Sequence, residues 1–116
     1  MIYVQSAQRV KTVSEPLDRD VVLRDISIFV PHPDEICIDA IRIGKKTIFV
    51  GTLSAEYLPS PQGKGVRKLY LSATVLAGSI VTVYFRAFAE SQNIEANIRI
   101  TPLGSEESQT IMLEKK

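Results

Sequence analysis

His32 is the only histidine in the chain, and it lies in "PHPDE", close to Asp34 and Glu35. An imidazole beside two carboxylates is a set that can hold a metal ion or move a proton. One histidine excludes the multi-histidine cluster of a cupin-type enzyme barrel and leaves only a single-histidine site with Asp34 and Glu35. A catalytic triad would need His32 as its base. It stands between Pro31 and Pro33 in a turn, and no serine occupies a Gly-x-Ser-x-Gly elbow. Asp18, Asp20 and Asp25 offer carboxylates of the kind calcium takes from loops, but without the spacing of an EF-hand, and acidic turn residues are ordinary. Cys37 sits in the apolar run "ICID", where a buried, inert thiol is the expected state. A single cysteine also excludes an internal disulfide and a multi-cysteine zinc site. These residues predict no catalytic group, no cofactor site and no tightly bound ion, and hence no enzyme.

Gly63-Lys64-Gly65, within "YLPSPQGKGVRKLYL", has the look of a phosphate cradle. A P-loop places four residues between its first glycine and a Gly-Lys-Ser/Thr, then opens a helix onto the phosphates. Here Val66 and Arg67 lead into a strand pattern instead. "LPSPQGKG" joins stiff prolines to a permissive glycine tail, which predicts a long surface loop. Tyr57, Leu58, Pro59 and Pro61 make an apolar, stiffened cluster in that loop. Prolines lower the entropic cost of fixing a loop against a partner, so these four are the expected partner contacts. The bland alternative folds Tyr57 and Leu58 back onto the chain's own core. Tyr70 and Tyr84 fall on outward faces, where rings can stack on a sugar or a base. With no tryptophan, four tyrosines and four phenylalanines, cross-strand packing is their expected use.

Strands must position all of these. "RKLYLSATV" alternates Leu69, Leu71, Ala73 and Val75 with polar residues, and "NIEANIRIT" does the same with Ile94, Ala96, Ile98 and Ile100. "SIVTVYFRAF" sends Val81, Val83, Phe85 and Ala87 inward. "VVLRDISIFV" carries Ile26, Ile28 and Val30 on one face with Leu23 out of phase, which predicts a bulge near Arg24-Asp25. "EICIDAIRI" changes phase near Asp39. Gly44 in "IGKK" permits a tight turn into "KTIFVG". A short helical turn fits "SAEYL", an opening strand lies within residues 2–13, and "TIMLE" reads as a last strand. Breakers such as "PHPDE", "LAGS", "AESQ" and "PLGSEES" separate the runs. About eight strands at roughly ten-residue spacing predict an all-β, single-domain β-sandwich over 1–116, with a polar C-terminal segment from about residue 102. Register across "LAGS" favours a three-residue loop that opposes Ala73 to Val81, Leu71 to Val83 and Leu69 to Phe85, with Gly78 left-handed. That pairing holds if the two strands are neighbours in one sheet; they can instead bridge two sheets.

The totals agree with a small globular chain. Its 116 residues are 45% hydrophobic and carry a net charge of +1, too little to argue for a nucleic-acid partner. The longest uncharged run, residues 71–85, is too short for a spanning helix, and the N-terminus lacks the basic start and long apolar stretch of a signal peptide.

The stretches "IDAIRIGKKTIFVG" and "LYLSATVLAGSIVTVYFRAF" resemble small virion proteins of phages and, in their strand–turn order, the jelly-roll subunits at the vertices of icosahedral viruses. The likeness covers about residues 36–88 and carries no family site residue with it. It implies a jelly-roll-like structural protein, made in a host cytoplasm and resident in a virion. Such a protein would act by assembling through loops and sheet edges with protein partners, itself included, in a homo-oligomer or shell, with no specific nucleic acid and no membrane insertion. The alternative is a ligand-binding sandwich such as a carbohydrate-binding module, which calls for exposed ring platforms or a calcium site.

Overall fold

The computed structural model describes residues 7–63, 65–87 and 94–116. Residues 1–6, Lys64 and the "AESQ" breaker lie outside the described residues. Among the described residues eight strands run in chain order: β1 Ala7–Thr12, β2 Val21–Phe29, β3 Ile36–Ile43, β4 Lys46–Ser54, β5 Val66–Val75, β6 Val81–Ala87, β7 Glu95–Pro102 and β8 Gln109–Lys115. Two single 3-10 turns, Pro33–Glu35 and Ala55–Tyr57, are the helical pieces described, the second at the predicted "SAEYL". The chain is all-β, as its period-two patterns predict.

All pairing is antiparallel, and the strand order is β4-β3-β6-β1-β8-β7-β2-β5. The sheet is one ribbon curled on itself. Its halves, β4-β3-β6-β1 and β8-β7-β2-β5, are joined by a short seam in which Lys11 lies opposite Lys115 and Thr12 opposite Glu114. The pairs β1–β8, β2–β7 and β3–β6 nest one inside the next, as in a jelly roll. The innermost pair of that nest is unmade: β4 and β5 end the ribbon and do not pair with each other.

Two strands switch phase, and both switches are bulges. On β2 the register with both neighbours slips between Leu23 and Asp25. Val21 and Leu23 face the core before the slip, and Ile26 and Ile28 after it; all four are buried. On β3 the register with both neighbours slips between Ile38 and Ala40, so Ile36 and Ile38 are buried before it and Ile41 and Ile43 after. An extra residue rotates the pleat by half a period, so odd and even apolar positions can share one face. Each bulge carries an aspartate held by an arginine of the next strand. Asp25 Oδ2 accepts from Arg99 Nε at 2.7 Å, and Asp39 Oδ2 from Arg86 Nε at 3.0 Å.

The connection through "LAGS" corrects the expected hairpin. β5 pairs with β2, where Ala73 lies opposite Leu23 and Leu69 opposite Ile26, while β6 pairs with β1 and β3. The segment therefore crosses between the two halves. Alternation identifies the inward side chains, and residues that meet across a core satisfy it as well as residues side by side in a sheet. The left-handed Gly78 is observed, at φ 85°, and its N–H donates to Leu17 O. The crossing also changes burial. Val81, Val83, Phe85, Ile94, Ile98 and Ile100 are buried as predicted, but Leu69 and Leu71 are half-buried, because β5 ends the strand order of the described residues. The polar segment after Pro102 is likewise only partly free, since residues 109–115 are β8.

Two stability outcomes follow. Phe85→Ala is expected to cost about 3–5 kcal/mol and Leu71→Ala only about 1–2 kcal/mol in urea unfolding; equal costs would place Leu71 in the closed core. Arg99→Ala strands a carboxylate that is 2% exposed, with a cost of about 1–3 kcal/mol. In the same unfolding assay that loss should exceed the loss from Arg86→Ala, whose partner Asp39 is less buried.

Candidate functional site

The structure does not assemble the residues whose types suggested chemistry. His32 is exposed and precedes the first 3-10 turn, where its carbonyl accepts from Glu35 N–H at 3.0 Å. Asp18 and Asp20 lie in the exposed loop before β2. Asp20 Oδ1 accepts from Ala77 N–H at 2.8 Å and its carbonyl from Leu103 N–H at 3.1 Å, so it ties two loops together. Asp25 is committed to Arg99. Among the described residues, no three of His, Cys, Asp or Glu are grouped to hold a metal. Tyr70 and Tyr84 belong to β5 and β6, in different halves of the ribbon, and form no common platform.

Cys37 is buried on β3, in register between Ser54 and Arg86. Burial pushes its thiol up from the ordinary value, and the Asp39 carboxylate pushes the same way. A thiolate is therefore harder to form in the folded chain, which opposes nucleophilic use. At pH 8 a disulfide reagent is expected to modify Cys37 far more slowly in native buffer than in denaturant. Equal rates would contradict its placement.

Two features remain that can make contacts. The first is the loop from Ala55 to Gly65, where the expected partner residues divide. Leu58 is 6% exposed and belongs to the core, so it is withdrawn as a partner contact: its side chain is already spent on the chain's own interior. Tyr57 is 78% exposed, and Pro59 and Pro61 are exposed. The loop is tied down at several of its described residues. Arg67 Nη1 donates to Glu56 O at 3.1 Å and to Leu58 O at 3.0 Å. Lys68 N–H donates to Pro59 O at 2.9 Å and Ser60 Oγ to Val66 O at 2.7 Å. Gly65 has φ 78°, and a Cβ there would come within 3.2 Å of Val30 O, so this glycine serves a turn packed on β2's end rather than a phosphate.

The second feature is a cleft of about 610 Å³ between β4 and β5. Its apolar walls include Ile41, Phe49 and Leu53 on one side and Leu69 and Leu71 on the other. The ring of Phe49 folds over Gly51, where a Cβ would lie 3.3 Å from Cζ. Polar side chains at the cleft are Lys46, Ser72 and Thr74. Sequence reasoning missed the cleft because it paired β5 with β6. The available signal was "KTIFVGTLS", an apolar strand without clean alternation, as befits a strand at a ribbon's end.

Family models, curated proteins and solved structures were compared with the chain, and none matches.

Proposed function

We propose that the chain is a non-enzymatic structural protein that works by assembling with protein partners, itself included, as a subunit of a virus particle. One observation carries the assembly reading: the loop presenting Tyr57, Pro59 and Pro61 is fixed before any partner arrives. Hydrogen bonds hold its backbone at Glu56, Leu58, Pro59, Ser60 and Gly63, and the Ser60 hydroxyl adds a bond to Val66 O. A loop already ordered loses little entropy on docking, and an exposed tyrosine at its crest is the side chain that gains most from burial at an interface. The virion reading rests on the strand–turn order of residues 36–88. No helix among the described residues is long and apolar enough to cross a membrane.

Light scattering over a rising concentration series is expected to show a mass above the monomer's, and Tyr57→Ser is expected to return it toward the monomer with an unchanged melting temperature. A monomeric mass throughout would remove self-association. Rings or closed shells in negative-stain electron microscopy at the highest concentration would favour a particle subunit over a simple oligomer.

A further inference from the structure

The cleft between β4 and β5 is where side chains that pack on the core are reached from outside. Leu69, Leu71 and Phe49 pack against the core yet stay half-exposed, so the cleft floor is apolar surface left in contact with water. The ends of the cleft are held. Gly44 N–H donates to Ile80 O at 2.9 Å, which places the β3–β4 turn beside the segment that follows β5. At the other end Arg67 bridges to the loop that follows β4. β4 and β5 therefore flank the cleft in opposite directions, as two walls of a preformed slot.

Charge selects the occupant. Among the described residues no acidic side chain lines the cleft, and Lys46 is the one charged residue that does. Lys46 makes no ion pair among the described residues. Ser72 and Thr74 add hydroxyl donors. We propose that this cleft binds a straight-chain fatty acid, its acyl tail along the Leu69–Leu71 and Phe49–Leu53 walls and its carboxylate at Lys46. The wall from Leu69 to Ala73 spans about 13 Å at strand rise, the length of an extended tail of about ten carbons.

An inserted peptide strand is the competing occupant, and the geometry disfavours it. Lys68 N–H is already taken by Pro59 O, so the free edge of β5 is shortened to the part beyond it. Because the walls run in opposite directions, a strand between them must be parallel to one, the less stable pairing. A methylene chain makes no such demand.

The test is titration calorimetry of the full chain with octanoate, decanoate and dodecanoate below their micelle concentrations. Affinity is expected to rise about fourfold per added methylene until the tail fills the cleft. Lys46→Ala should weaken dodecanoate about three- to fivefold and leave dodecanol unchanged. Leu71→Phe should block both; since that variant can disturb folding, amide shift changes in the unaltered protein supply a second readout, expected on β4 and on Leu69–Thr74. No binding below the micelle concentration, shift changes elsewhere, or equal effects of Lys46→Ala on acid and alcohol would overturn the proposal. So would a cross-link showing a strand of a second copy seated between β4 and β5.

Discussion

The two aspartate–arginine pairs at the bulges are the interactions on which the rest of the structure depends. β2 and β3 are interior strands of their halves, each paired on both sides. Each carries inward residues of both parities, so neither can bury its apolar set as a regular strand. The bulge solves this, but an extra residue breaks the ladder and leaves polar groups to be satisfied. On β2 the carboxylate of Asp25, in register between Tyr70 and Arg99, is almost fully covered and is met by the Arg99 guanidinium. On β3 Asp39 is itself the unpaired residue, and Arg86 reaches it. The same solution thus appears once in each half, on strands that each lie next to an end strand of the ribbon.

Bulges also bend and twist the strands that carry them. With one in each half, the ribbon curls on either side of the β1–β8 seam, and its end strands β4 and β5 turn toward each other without pairing. The innermost connection, between β4 and β5, is the one with the proline-bearing loop. Its residues Pro59 and Ser60 run beside the start of β5, occupying backbone positions that β4 would have taken in a closed hairpin. Cleft and loop are therefore two results of one geometric fact: the hairpin that would have completed the nest is wedged open.

What the sequence made legible follows from what alternation encodes. The bulges near Arg24-Asp25 and Asp39 were visible because they invert parity, and the turns at Gly44 and Gly78 because a left-handed residue needs glycine. The all-β class followed from the same patterns. Neighbour identity was not encoded. Leu71 facing Val83 within a sheet and Leu71 facing the core from the opposite half give the same alternation, so the β5–β6 hairpin was the wrong solution of two. Leu58 shows the same limit at the loop. An apolar residue beside prolines can be an outward contact or an inward anchor, and only the three-dimensional path of residues 55–60 separates them. Of the four expected contact residues, it leaves Tyr57, Pro59 and Pro61 outside.

Both surfaces proposed to act rest on β5. Arg67 and Lys68, at its start, hold the loop that presents Tyr57. Leu69 to Thr74, which follow directly, line the cleft. Residues 66–75 form one continuous strand laddered to β2, and β2 is pinned at its bulge by Asp25 to Arg99 on β7. A shift of β5 away from β4 would widen the cleft and would carry the Arg67 guanidinium away from the Glu56 and Leu58 carbonyls, loosening the loop. A ligand that fits the cleft without displacing β5 leaves the loop's hydrogen bonds intact. The ordered loop and the apolar slot are thus compatible only while β5 keeps its present register on β2, which makes the ion pair that the buried Asp25 forms with Arg99 a condition for either surface to exist.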